Sequence, residues 1–324
     1  MSTRYAHVLS FALEHPWAVT RSMGQQIAQI IARHVAGEDL EPGALAALVQ
    51  RQNTPAAAAG GTAVIPVYGV IAPRMNLMSE MSGGTTFEAL TAQLHEALAN
   101  PGVGTIVFDV DSPGGNVAGA TEFAREVLKA RTQKPIIAQS NHLMASAAYW
   151  AMACATEVVA SPSSMVGSVG IYTMHDDVSE ALAKLGVKRT VIGAGKFKTE
   201  GLDGGPLSEA ALAHVTQIVA SAYDRFVTDV AAGRGVKRTE VENGYGEGRA
   251  ITAEDALALG MIDRIGTLSD TIARATTARS HHVGHATGQE PRLAATSQER
   301  QADVFWQYAK ECELLQLDTV EDRP

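Results

Sequence analysis

The sequence predicts an α/β fold, with helices packed on a largely parallel β-sheet. Three observations carry this. Short β-branched runs alternate with amphipathic patterns of helical period along most of the chain. The strand candidates are almost continuously apolar, as in GTIVFDV (104–110), which suits strands covered on both faces. Glycine and proline punctuate the joints between the two kinds of segment.

In chain order, residues 1–50 read as an N-terminal helical module. Pro16 opens a helical pattern with Val19, Met23, Ile27, Ile30 and Ile31 on one side, and a second short helix is expected from Pro42 to Val49. Such amphipathic helices need a partner surface, either their own core or another subunit. Residues 51–61 (RQNTPAAAAGG) read as a linker. AVIPVYGVI (63–71) is a strand whose Pro66 implies an edge position or a bulge. The loop at 76–84 is rich in glycine, serine and methionine. Met75, Met78 and Met81 there either line a soft groove or pack as ordinary loop residues. Thr85 or Thr86 then caps a helix with Glu88 in its first turn and Leu90, Leu94 and Leu98 as its stripe.

Strand 104–110 is followed by the turn DSPGG (111–115), a helix near 117–130, a strand at 134–139 and a small-residue helix at 146–154. Strands near 157–160 and 168–173, a helix at 177–185 and a strand at 188–192 come next. A long helix (208–230), a short one (252–259) stopped by Gly260, and MIDRIG (261–266) close an expected peptidase-sized domain of 62–266. Residues 267–324 read as a C-terminal extension, partly disordered, losing periodicity after Gly266 and ending in a short helix near 304–317. HHVGH (281–285) is either a local metal-binding cluster or a polar linker, and the latter is the expected reading; no metal and no cofactor is expected.

The chain has 324 residues, 46% hydrophobic, with a formal net charge of -9. That supports a sizeable core and argues against nucleic acid as the main partner. Cys154 and Cys312 stand far apart in unlike contexts, which suits a reducing compartment rather than a disulfide framework. The first residues lack the uninterrupted apolar run of a signal peptide, and no stretch reaches the ~18 apolar residues of a membrane span. A cytoplasmic protein without membrane contact is expected.

The stretch SNHLMASAAYWAMACATEVVASPSSMVGSVG (140–170) places Ser146 at the start of a helix of small residues. Taken singly, such a serine is usually structural, since small residues also suit helix packing. As a nucleophile it needs a base to take its proton. His142 and His175 are candidates without a clear acidic orienter. Lys196 and Lys198, in the glycine-rich turn GKFK (195–198), are candidates if burial keeps one amine neutral, or are ordinary surface lysines. DSPGG is either a plain strand–helix turn or one whose successive N–H groups converge on an oxyanion.

Taken together and in order, these segments resemble the signal peptide peptidase A family of serine peptidases. MASAAYW resembles its nucleophile motif, GKFKTEG its lysine motif, and DSPGG its oxyanion turn. GSVG (167–170) and ALALGMIDRIG (256–266) resemble two further motifs. The resemblance covers about 63–266. It implies a ClpP/crotonase-like fold and a Ser146–Lys198 dyad, with Gly114 and the N–H of Ser146 holding the oxyanion. It also implies that Ser168 orients the lysine, with Gly115 and Ala147 in the substrate site. One departure is the pair Ala147–Ala148 where the family commonly has glycines, which bears on substrate fit.

Within the family the chain is most similar to phage prohead proteases, through ALEHPWAV (12–19) and the lack of an anchor. That implies a ring-shaped homo-oligomer cleaving scaffold, portal or capsid proteins, and its own termini, within a procapsid in the host cytoplasm. Whether Ser146 and Lys198 pair within one chain or between neighbours stays open. Competing expectations are a cytoplasmic signal-peptide-peptidase-like protease, a non-catalytic head-assembly protein, and a crotonase-type acyl-CoA enzyme using Asp177 or Glu200.

Overall fold

The structure, a computed structural model, describes residues 17–20, 56–57, 61–73 and 84–283, with side chains described as far as 277. The methionine loop, the helices expected in 21–49 and the last helix near 304–317 lie outside the described residues.

The strands are β1 (Trp17–Val19), β2 (Ala56–Ala57), β3 (Thr62–Tyr68), β4 (Ile71–Ala72), β5 (Thr85–Thr86), β6 (Thr105–Ser112), β7 (Gly114–Asn116), β8 (Ile136–Ala145), β9 (Glu157–Ala160), β10 (Met165–Gly167), β11 (Ala250–Thr252) and β12 (Arg264–Ile265). The helices are α1 (Phe87–Ala99), α2 (Ala120–Ala130), α3 (Ala147–Met152), α4 (Ser179–Lys184), α5 (Glu209–Arg234), α6 (Arg238–Gly244), α7 (Ala253–Ala258) and α8 (Leu268–Val283).

The main sheet runs β11-β10-β8-β6-β3-β2, with β9 on β8 and β12 beside β9. The pairs β3–β6, β6–β8, β8–β9, β8–β10 and β9–β12 are parallel, whereas β2 and β11 join antiparallel. Alternation along the strands shows why they are apolar throughout. Ile106, Phe108, Val110, Ile136, Ala138 and Val158 face one core together with residues of α1, α2, α3 and α5. Val107, Ile137 and Val159 face the other side, against Leu268 and Ala275 of α8. The expected α/β architecture with a largely parallel sheet is therefore present.

Local chemistry sets the element ends. Thr86 accepts from the Ala89 N–H and caps α1, as expected. Ser208 caps α5 by accepting from Ala211, and Thr252 caps α7 by accepting from Asp255. Pro66 pairs with Asp109 of β6 on one side, and among the described residues no strand lies opposite it on the other.

Several expectations need correction. The helical pattern expected after Pro16 does not include Trp17–Val19, which is a strand. The strand expected at 168–173 ends instead at Gly167, because Gly167 and Ser168 both have positive φ (113° and 53°) and turn the chain out of the ladder. No strand forms at 188–192, where the chain is exposed and makes no ladder. Loss of periodicity after Gly266 was the wrong expectation up to Val283. Thr267 and Asp270 cap each other's backbone N–H groups and start α8, whose contact face is made of small residues rather than a leucine stripe.

A second sheet has the order β1-β7-β4-β5. It is built around the glycines of DSPGG, which form strand β7 rather than a simple turn. A side chain at Gly115 would overlap the backbone of Ile71 in β4, and Gly114 has φ +98° with the Ala18 carbonyl oxygen in the place of its missing Cβ. Only glycine lets three strands meet here.

Candidate active site

Ser146 lies between the C-terminal end of β8 and the first turn of α3. Its backbone has φ 56° and ψ -120°, a conformation that costs on the order of 1–3 kcal/mol for a residue with a side chain. Among the described residues the non-glycine positive φ values fall at Ser146, Ser168 and Glu247, so two of the three strained positions coincide with residues singled out from sequence. The ladder between β8 and β10 brings them together. Gly167 pairs with Ala145, and the Gly167 carbonyl accepts the Ser146 N–H at 2.7 Å.

The Ser146 side chain is fully buried, and its Oγ has no hydrogen-bond partner among the described residues. A buried hydroxyl left unpaired costs about 1–3 kcal/mol. Strain and an orphaned hydroxyl at one residue are what a structural serine avoids and what a waiting nucleophile shows.

The donors differ in part from expectation. The Ser146 N–H is committed to Gly167, so in this state it does not serve an oxyanion; β8 runs on to Ala145, six residues past the strand end expected at 139. The Gly114 N–H makes a 3.2 Å bond to Ser112 Oγ, which in turn donates to the Gly69 carbonyl at 2.7 Å. Ala147 N stands 2.9 Å from the place a Gly114 Cβ would take. As the first residue of α3 its N–H has no intrahelical acceptor, and Ser146 does not cap the helix. The backbone donor facing the glycine corner is thus that of Ala147, a residue expected only to line the substrate site.

α3 is held rigidly from behind. The Trp150 indole N–H donates to the Asp229 carboxylate at 2.9 Å and the ring stacks on Phe226 at 4.4 Å between centroids. Arg131 reaches the carbonyls of Cys154, Ala155 and Gly233 at 3.2, 3.1 and 2.9 Å. Gly233 lets α5 approach the end of α3 so closely that a side chain there would strike the Ala153 carbonyl. Burial pushes the Cys154 thiol up to about 12, so it is an inert core group.

The candidate bases stand elsewhere. Lys198 is exposed, in a turn where its N–H bonds the Gly195 carbonyl at 3.1 Å, and the single chain does not bring it to Ser146. Lys196 lies over the Phe197 ring at 4.7 Å. His142 has an acidic partner that sequence reasoning missed: its Nδ1 is 3.1 Å from Asp111, on the surface, because β8 runs on through residue 145 and sets position 142 near the end of β6. The pair does not reach Ser146 Oγ. His175 is bonded to the Gly205 carbonyl at 2.8 Å. Among the described residues no group of three or more His, Cys, Asp or Glu side chains is placed to hold a metal; His281 and His282 fall beyond the described side chains and His285 beyond the described residues. Asp177 and Glu200, the alternative acids, lie on the same exposed stretch as Lys198 or at its border.

Residues 129–281 match peptidase family S49, a span that includes Ser146, Ser168, Lys198 and the ALALGMIDRIG segment. Curated relatives fall in two groups. The chain is 32% identical over 237 residues to the head-tail preconnector protein GP5 of Enterobacteria phage P21, covering 73% of this chain and 46% of that protein. It is 28% identical over 249 residues to capsid assembly protease C of Escherichia phage lambda, covering 75% of this chain and 56% of that one. It is 32% identical over 234 residues to Protease 4 of Salmonella typhi, covering 69% of this chain and 35% of that protein. The chain therefore spans about a third to a half of these relatives. Among solved structures, a mutant form of ClpP1 from Listeria monocytogenes aligns with TM-score 0.41 and 12% identity, over 70% of this chain and 97% of that one. Among the described residues no helix is long and apolar enough to cross a membrane.

Proposed function

We propose that this chain is a serine endopeptidase of ClpP/crotonase-like fold, with Ser146 as nucleophile and Lys198 as general base. The observation that carries the reading is Ser146 itself: buried, backbone-strained, its Oγ unpartnered among the described residues, at the head of a braced helix and beside a glycine strand. In the reaction Lys198 takes the proton from Oγ as it attacks a peptide carbonyl. The Ala147 N–H, at the corner made by Gly114, holds the developing oxyanion, where one donor is worth about 2.7–4 kcal/mol. Lys198 then protonates the leaving amine and water releases the acyl group.

The lysine is supplied by a second copy of the chain. In support, the stretch around Lys198 exposes Leu185, Val187, Ile192, Phe197 and Leu202, with Ile192 at 92%, far more apolar surface than a free segment should show. Packing this stretch against a neighbour would desolvate the amine and favour its neutral form. A ring-shaped homo-oligomer follows, with Ser168, one residue from the Gly167–Ser146 bond, in reach to orient the incoming amine.

The names of the two phage relatives support scaffold, portal or capsid proteins as substrates during procapsid maturation, within the host cytoplasm. Similarity of equal identity to Protease 4 supports a general signal-peptide-peptidase-like role as the second reading. The test is cleavage of a phage scaffold protein, with a denatured protein as a second substrate, using wild type, Ser146→Ala, Lys198→Ala and an equimolar mixture of the two variants. Wild type should cut, each variant alone should be inactive, and co-assembled variants should regain part of the activity. Cleavage by Ser146→Ala would overturn the nucleophile, and a mixture as inactive as its parts would overturn the shared site.

A further inference from the structure

We infer that Trp17–Thr20 is a built-in occupant of the peptide channel, a segment of the chain's own N-terminal region lying where a substrate strand must lie. The inference deepens the peptidase reading and rests on it for the meaning of the channel.

β1 has three residues and belongs to no layer of the main sheet, yet Trp17, Ala18 and Val19 are 7%, 0% and 3% exposed. It is held by backbone on both edges. On one side it runs antiparallel to β7, Trp17 opposite Asn116, Ala18 opposite Gly115 and Val19 opposite Gly114, and the Thr20 N–H donates to the Pro113 carbonyl at 2.9 Å. In an antiparallel ladder hydrogen-bonded pairs alternate, so Ala18 and Gly115 form the next such pair. On the other side Trp17 and Tyr172 exchange bonds, the Trp17 N–H to the Tyr172 carbonyl at 2.9 Å and the Tyr172 N–H to the Trp17 carbonyl at 3.2 Å. Tyr172 lies just past the Gly167–Ser168 bend that binds the Ser146 backbone.

The two edges therefore flank the nucleophile, and the segment is strung between them. The Ala18 carbonyl oxygen sits against Gly114, in the same corner as Ala147 N. That corner is where a substrate carbonyl has to be placed for Ser146 to reach it. An extended peptide added to a free strand edge is recognised mainly through its main chain, with neighbouring side chains setting preference. The seated segment shows that preference: a small residue, Ala18, is fully enclosed at the glycine corner, between an aromatic residue and a β-branched one. Entry of a substrate strand then requires β1 to leave, because both edges offer the same N–H and C=O groups to either occupant.

The test reads occupancy rather than catalysis. A fluorescein-labelled HPWAVT peptide (residues 15–20) is titrated by fluorescence polarisation into full-length Ser146→Ala protein. It is also titrated into Trp17→Pro and Thr20→Pro in the same background. Each proline deletes one of the N–H bonds that seat β1, on opposite edges, while the main sheet is untouched. A tethered segment competes at an effective concentration in the millimolar range, so its release should tighten peptide binding by about tenfold or more. Binding strengthened in at least one folded proline variant supports the proposal. Equal affinity in all three proteins, or no binding to folded variants, overturns it. Because Ser146 is absent throughout, a failure of the peptidase reading would show separately, as peptide binding without hydrolysis by the wild-type protein.

Discussion

Replacing Ser146 with alanine separates a catalytic serine from a structural one. The substitution removes one oxygen that is sealed from solvent and has no partner among the described residues. Leaving such a hydroxyl unpaired costs about 1–3 kcal/mol, and this cost is relieved in the variant. Strain at φ 56° is unchanged, because alanine carries the same Cβ as serine. Against the gain stands the small packing loss of a single atom, so in the dissociated chain, where no second copy brings Lys198 to Oγ, the variant should be about 1–2 kcal/mol more stable than wild type. For a domain of this size class that is a rise in Tm of about 2–8 °C. The assay is paired: denaturant or thermal unfolding by circular dichroism, and hydrolysis of a denatured protein substrate on the same preparations. Stability should rise while hydrolysis disappears, the exchange expected where an active-site group is held at a cost to the fold. A lower Tm would show that Oγ makes a stabilising bond, and retained hydrolysis would show that it is not the nucleophile.

Three other substitutions or treatments probe the scaffold behind the site. Arg131→Ala strips the carbonyls of Cys154, Ala155 and Gly233 of their shared donor and should destabilise the protein by about 3 kcal/mol, read as a shift in denaturation midpoint. Gly115→Ala drives a Cβ into the Ile71 backbone; β4 and β7 must part, and hydrolysis should fall by about a hundredfold or more even where circular dichroism shows the main sheet intact. Cys154, with its thiol pushed up to about 12, should resist iodoacetamide at pH ~8 in the folded protein and react once unfolded, as followed by peptide mass mapping. The sign for stability follows: above pH ~9 the unfolded chain loses this proton first, so the contribution of the buried thiol to stability declines from there up to about pH 12.

Much of the core was legible because its signals are local. GTIVFDV had to be a doubly covered strand, and Thr86 with Glu88 had to start a helix, as found. Ser146 was legible as a helix start, but its strain was not, since a positive φ at serine leaves no mark in residue type. β1 was missed because proline followed by apolar residues reads equally as a helix start or an extended segment, and what decides is a partner edge nearly a hundred residues away. α8 was missed because it packs through Ala275 and the short chain of Thr271 rather than through a leucine stripe. The TLSD sequence at 267–270, a mutual capping pattern, was the signal available for it. Lys198 was singled out by motif, and the single chain leaves it exposed while Ser146 is buried. No pattern within one sequence specifies which copy completes a site.

The most direct measurement is labelling of the assembled full-length protein with a serine-reactive fluorophosphonate, followed by peptide mass mapping, in wild type and Lys198→Ala. The expected result is a single adduct on Ser146 in wild type that is lost in Lys198→Ala. An adduct on a different serine, or equal labelling of Ser146 without the lysine, would contradict the account.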